Sequence, residues 1–440
     1  MKFNSINKKI IAFTLVVLPV LGLASGDGNS HVPHLDGTLA NLSIFWVIPF
    51  VGILLSIAII PLFLPELWHH HYGKVSLFWV VLFVFPCLVK EGLNVTGYEL
   101  LHVGLLEYIP FIILLLSLFT ISGGICLTGT LVGKPIVNVI IIFVGTVLAS
   151  WMGTTGAAML LIRPLIRANK QRQHKVHVIV FFIFLVANIG GSLTPLGDPP
   201  LFLGFLKGVD FFWTTKAMFL PMLFMVISLL IIFFIMDTIY YRKEKIPELL
   251  NIENHKLGLE GSFNIILIAG VVGAVLLSGF WDPHVSFTCH YVEIELQNLI
   301  RDILLLTLAY ASWVFTPQYI RENNEYTWFP IVEVAKLFAG IFVTIIPAIA
   351  ILKAGTDGAL ASIINSVSNE TGPVNYMYFW AAGILSSFLD NAPTYLVFFN
   401  TAGGDPVILM GELYDTLLAI SAGAVFMGAN TYIGNAPNFM

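Results

Sequence analysis

The sequence predicts an all-α polytopic membrane protein made of two repeats of opposite topology. Three observations predict it. Of the 440 residues, 57% are hydrophobic and 11% charged, and the mean hydropathy is +0.88, so there is too little polar surface to clothe a water-soluble globule of this length. Apolar segments long enough to span a bilayer recur along the whole chain. Third, residues 148–202 and 385–439 repeat each other without a gap at an offset of 237. Gly191, Thr194, Gly197, Pro200 and Phe202 return as Gly428, Thr431, Gly434, Pro437 and Phe439, and Leu148 and Ser150 return as Leu385 and Ser387.

The first 25 residues have the layout of a secretory signal: Lys2, Lys8 and Lys9, an apolar run from Ile10 to Leu23, then Ala24 and Ser25. Cleaved or kept as a signal anchor, the segment delivers residue 30 to the far side of the membrane. Spans follow at 42–64, 75–90, 105–121, 217–241, 263–281, 302–316 and 336–353. Residues 178–206 and 415–440 are also apolar but are interrupted by the repeated polar motif, which makes them broken helices. Residues 136–168 and 375–400 are each two arms of roughly 10 to 15 residues around a polar tip, too short to cross singly, and read as re-entrant hairpins.

Lys and Arg counts set the orientation. The connection 163–177 carries Arg163, Arg167, Lys170, Arg172 and Lys175 without an acid, whereas the matching connection 401–414 carries no base. The first is cytoplasmic, the second external, and five crossings lie between them. The second copy is therefore upside down. This divides the chain into a first repeat at 26–241, a cytoplasmic linker at 242–262 and a second repeat at 263–440. Relative to the first copy, roughly 35 to 40 residues after Pro437 are absent, so the C-terminus looks truncated.

Charge and cysteine content exclude other classes. A net charge of −5 offers no basic stripe for phosphates, so nucleic acid is not an expected partner. Cys87, Cys126 and Cys289 are too few and too scattered for a disulfide framework or thiolate metal site and read as packing residues. His69, His70 and His71 cannot share one helix face and read as interfacial. Glu91, Glu99 and Glu107 are expected to be solvated beside an external loop, and Glu333 is expected to pair with Lys336 three residues on.

Function is sought where the chain breaks, because unwound backbone at membrane depth is costly unless it is buried in protein or lines a cavity. Paired interruptions in two halves are the sequence pointer to a transporter's central site. Ser150, Thr154, Thr155 and Thr194 supply hydroxyls in the first half, and Ser387, Asn391, Thr394, Asn430 and Thr431 supply hydroxyls and amides in the second. Gly197, Gly434 and Asn435 complete the two unwound loops. Two acids sit at the breaks: Asp198 in Gly197-Asp198-Pro199-Pro200, and Asp390 in Leu389-Asp390-Asn391-Ala392-Pro393. An ionisable residue in the membrane is a functional candidate by default. The other reading is capping, since Asp ahead of Pro is a good N-cap, and Asp390 is placed to cap its own hairpin arm.

The strings Ser192-Leu193-Thr194-Pro195-Leu196-Gly197-Asp198-Pro199-Pro200, Ser387-Phe388-Leu389-Asp390-Asn391-Ala392-Pro393-Thr394 and Gly428-Ala429-Asn430-Thr431-Tyr432-Ile433-Gly434-Asn435 resemble the ion-transporter superfamily. Within it, residues 40–440 resemble the bacterial NhaD-like sodium/proton antiporters and citrate transporters. The resemblance implies a homodimer in the bacterial inner membrane, each protomer with a scaffold and a moving part that holds the hairpins and broken helices. It also implies Na⁺ and H⁺ or a small carboxylate as cargo or coupling ions, with no cofactor and no enzymatic activity. Carboxylate carriers of the superfamily show Ser-Asn-Thr at the hairpin tips. Here Gly153-Thr154-Thr155 and Asp390-Asn391-Ala392 stand instead, which favours Na⁺/H⁺ antiport over Na⁺-coupled citrate or dicarboxylate uptake. Asp390, Asn391, Asp198 and Thr194 are the expected sodium ligands.

Overall fold

The computed structural model describes residues 32–38, 40–244, 256–369 and 372–439. The expected leader at 1–25 lies outside the described residues, as does the middle of the 242–262 linker. The chain is helical and polytopic, with eight candidate membrane spans among the described residues. Large apolar side chains such as Phe85, Leu220, Phe224 and Ile266 stay exposed along these helices, as expected where lipid is the solvent.

Helix α1, Ile48–Phe63, is followed by α2, Pro65–Val103, a π-helical turn at Gly104–Tyr108 and α3, Ile109–Ser122. The expected spans 75–90 and 105–121 are thus joined without a loop. Gly92, at φ +81, absorbs the break inside α2, a conformation that a residue without Cβ adopts freely. This corrects the expectation for Glu107. It is buried in the π turn, and its Oε1 lies 2.5 Å from Lys207 Nζ. Glu99 accepts a 2.9 Å hydrogen bond from Leu35 N.

The first hairpin is α4, Pro135–Met152, and α5, Thr154–Ala168, joined at Gly153 with φ +79. Its first arm is 18 residues long, more than expected, and ranks among the candidate spans. The first broken helix is α6, Val176–Leu185, a 3-10 turn at Ile189–Leu193, an extended link and α7, Pro199–Leu206. Proline opens α2, α4 and α7, where its missing N–H leaves no hydrogen bond unmade. Helix α8, Phe211–Lys243, closes the first half.

The second half begins with α9, Phe263–Phe280, and α10, Leu296–Phe315, separated by a hairpin of β3, Ser286–Cys289, and β4, Val292–Glu295. Two earlier strands, β1 at Cys126–Thr128 and β2 at Gly258–Glu260, pair antiparallel across the halves. Then come α11, Gln318–Asn323, α12, Phe329–Thr344, and α13, Ile346–Lys353. The expected Glu333–Lys336 pair does not form. Glu333 accepts from Trp68 Nε1 at 3.3 Å, and Lys336 lies 5.2 Å from the centre of the Tyr72 ring, because both side chains turn toward α2. After α14, Ala361–Val367, the second hairpin is α15, Asn375–Phe388, and α16, Asn391–Thr401. Helices α17, Pro406–Met410, and α18, Tyr414–Met427, lead to short turns at Gly428–Asn430 and Ala436–Phe439. Small residues let α15 and α18 pack closely: a Cβ on Gly423 would meet the Phe379 carbonyl. Cys87, Cys126 and Cys289 are free thiols.

Candidate functional site

Each hairpin tip is fastened to its broken helix by the same bonds. In the first copy, Thr154 N donates to Gly197 O at 2.9 Å, Ser150 Oγ to Gly190 O at 2.5 Å and Thr194 Oγ1 to Ser150 O. At the offset of 237, Asn391 N donates to Gly434 O at 3.1 Å, Ser387 Oγ to Met427 O at 3.0 Å and Thr431 Oγ1 to Ser387 O at 2.5 Å. The repeated glycines allow this approach. A Cβ on Gly197 would run into the carbonyl of Gly191, and one on Gly434 into the carbonyl of Gly428. The motif is therefore a packing code for an unwound backbone whose polar groups must be satisfied internally.

The copies also bind each other. Asp198 occupies the N-cap position of α7 without a side-chain capping bond and is 1% exposed. Its Oδ1 accepts from Asn435 Nδ2 at 2.9 Å and Thr154 Oγ1 at 3.3 Å, and its Oδ2 accepts from Asn391 Nδ2 at 2.6 Å. Asp198 and Asn435 are themselves repeat equivalents. Three donors nearly fill the acceptor capacity of one carboxylate. Asp390 differs: its Oδ1 accepts from Ala392 N at 3.0 Å, the capping bond of α16.

Asp198 and Asp390 line one cavity of about 60 Å³ together with Thr154, Thr155, Gly197 and Asn435. The N-termini of α5 and α7, at Thr154 and Pro199, and the N-cap residue of α16, Asp390, border it. Each helix N-terminus carries a partial positive charge of roughly +0.5, so the two carboxylates sit in a positively polarised environment. Asn391 Oδ1 is buried and has no hydrogen-bond partner. An orphaned acceptor beside a carboxylate asks for a donor or a cation.

The remaining sequence candidates do not line this cavity. Ser150, Thr194, Ser387 and Thr431 spend their hydroxyls on the interlock, and Asn430 Nδ2 donates to Ser387 Oγ at 2.8 Å. Thr394 Oγ1 donates to Asp390 O at 3.0 Å, and Gly434 serves as the backbone acceptor of the second tip. Among the described residues no cluster of three His, Cys, Asp or Glu side chains converges as a metal site.

Sequence reasoning missed two groups. Asn188 donates to Asn438 Oδ1 at 2.7 Å and accepts from Asn435 Nδ2 at 3.3 Å, extending the Asp198 network across both copies. Neither Asn188 nor Asn438 has an amide at the equivalent position, Val425 or Leu201, so the repeat hid them. The second group surrounds Asp237. Its Oδ1 lies 2.6 Å from Arg172 Nη1 and 2.7 Å from His177 Nε2, and its Oδ2 accepts from Asn138 Nδ2 at 2.9 Å. An acid inside the 217–241 span was the available signal. This cluster ties the base of the first hairpin to α6 and α8.

Compared with known protein families, residues 39–440 match the model of a family described as "Putative citrate transport". The chain belongs to this citrate-transport family. The match covers both motif copies and every residue of the cavity, which makes the chain a multi-pass membrane protein of a transporter family. The family description does not separate citrate carriage from Na⁺/H⁺ exchange. Among curated proteins, the chain has no match.

Proposed function

We propose that the chain is a secondary active transporter that exchanges Na⁺ for H⁺ by alternating access, with Asp390 as the shared proton and cation site and Asp198 as its partner. The observation that carries this reading is the pair of carboxylates on one cavity, opposed by three helix N-termini. Two ionised carboxylates leave the site net negative even against the partial positive ends of these helices, which favours a cation over a di- or trianion. Asp390, with one capping bond, has acceptor capacity to spare. Asn391 Oδ1 adds a neutral oxygen of the kind that suits Na⁺. The ions are substrates, and no cofactor is required.

The same reading makes the two copies inverted repeats, with 136–168 and 375–400 as re-entrant hairpins moving with the broken helices against a scaffold in a homodimer of the bacterial inner membrane. Loop contacts support this sidedness. Arg163 pairs with Glu325, β1 with β2 and Lys207 with Glu107, and each contact joins segments that the charge count puts on one side.

The test is Na⁺-induced pH change in vesicles containing the full-length protein. The wild type collapses an imposed pH gradient on Na⁺ addition, and Asp390→Asn does not. Undiminished exchange by Asp390→Asn would remove Asp390 from the mechanism. A second reading is Na⁺-coupled uptake of citrate or a dicarboxylate, favoured by the family description and by the helix N-termini, which attract carboxylates once the aspartates are protonated. Na⁺-dependent uptake of labelled citrate without Na⁺-driven proton movement would select it.

A further inference from the structure

The second arm of the first hairpin carries a stripe that leads away from the cavity. Thr155 and Gly156 line the cavity. One turn on, Met159 is buried against Phe119 and Ile331 in a small apolar cluster separate from the main core. Phe119 and Ile331 are also cavity-lining residues, so this cluster is the cavity's wall on that side. A further turn on, Arg163 Nη2 lies 3.3 Å from Glu325 Oε2, whose side chain is 80% exposed. Residues three and four apart share a helix face, and 156, 159 and 163 follow that spacing.

The far side of the wall is a loop held in place by its rings. Phe119 and Tyr326 have centroids 5.0 Å apart, and Tyr326 and Trp328 5.3 Å. Glu325 takes φ +46, a left-handed conformation that a non-glycine residue rarely adopts and that marks a position fixed by its surroundings. Asn324 anchors the loop by donating to Gly123 O at 3.1 Å and Ile125 O at 2.7 Å. Arg163 Nη1 is buried without a hydrogen-bond partner, so Glu325 satisfies one half of this guanidinium fork and the other half is open.

We propose that Phe119, Met159 and Ile331 form a gate between the Asp198–Asp390 cavity and the face that carries Arg163 and Glu325. Met159, an unbranched and adaptable side chain, is the moving part. The Arg163–Glu325 pair sets the charge at the mouth, because an unpaired Arg163 would repel a cation that the pair admits. The proposal rests on the reading of the cavity as the transport site but not on which ion is carried.

Thiol labelling tests it, in full-length protein with Cys289 replaced by Ser. A membrane-impermeant charged methanethiosulfonate is applied to vesicles of either orientation, with Thr155→Cys as reporter inside the cavity. From the Arg163-bearing face, Met159→Ala raises the labelling rate at least about tenfold, equal to ~1.4 kcal/mol of gating free energy, whereas Met159→Leu keeps it slow. Equal rates in all three backgrounds, or acceleration only from the opposite face, would overturn the gate. Where Thr155→Cys does not fold, Val334→Cys, on the same cavity but on α12, reports the same comparison. Glu325→Gln slows labelling by the cationic reagent and speeds it for an anionic one, and no change in that ratio would remove the mouth-charge role. Loss of Na⁺-driven proton movement with the labelling pattern intact would remove the antiport reading and leave the gate standing.

Discussion

The two copies of the motif share their backbone and differ in their chemistry. In both, the hairpin tip donates an N–H to the glycine of the unwound loop, and a threonine hydroxyl of that loop returns a bond to the tip serine, Ser150 or Ser387. The carboxylates do not follow that symmetry. The first copy keeps its acid in the loop, at Asp198, and has Gly153 at the tip. The second keeps its acid at the tip, Asp390, and has the amide of Asn435 in the loop. Asp198 accordingly receives hydrogen bonds from Asn391 and Asn435, both in the second copy. The two copies share a frame, and their unlike side chains place two different acids on one cavity at their junction.

The comparison is broken most severely at the acids. Asp390→Asn is expected to lower Na⁺/H⁺ exchange at least about a hundredfold, the scale of losing a positioned proton-transfer group, and vesicle pH recordings read it directly. Asp198→Asn is expected to lower exchange about tenfold or more, with the double variant Asp198→Asn/Asn435→Asp recovering most of the loss, because the charge then returns to the same bonded pair from the other copy. A double variant no better than Asp198→Asn would show that the charge must sit on the first copy's loop rather than anywhere in the bonded pair, and the cycle separates the two roles.

Smaller effects sharpen the shared frame. Gly197→Ala and Gly434→Ala each drive a Cβ into a facing carbonyl and are expected to destabilise by about 1–3 kcal/mol, with similar shifts in thermal unfolding in detergent. Unequal shifts would show that the two interlocks are not mechanically equivalent. Thr194→Val and Thr431→Val, which each remove the bond to a tip serine and the one accepted from Leu196 N or Ile433 N, are expected to cost about 1–2 kcal/mol apiece on the same scale.

Much of this frame was legible beforehand, because helix-breaking glycines and prolines in apolar runs report directly on backbone geometry. The tips expected around 152–156 and 389–393 occur at Gly153 and at Leu389–Asp390, and both broken helices open where the motif lies. The expected spans 75–90 and 105–121 are connected by helix broken only at Gly92 and by a π turn that buries Glu107 against Lys207. No local signal announces that pairing, since its partners are 100 residues apart. Asn188 and Asn438 were missed for a similar reason: an asparagine in an apolar segment is visible, but its bond to another 250 residues away is not.

By itself, the sequence determined the solvent, the repeat, the places where helices break and the two acids at those breaks, because composition, periodicity and backbone preference are local properties. Only the tertiary structure decided that Asp198 and Asp390 share a cavity, that the tip hydroxyls are consumed in the interlock, and that Asn391 is left with an unpartnered oxygen. Those outcomes depend on which polar atoms from distant segments meet in a low-dielectric interior, where each hydrogen bond made or missed decides what remains free to bind an ion.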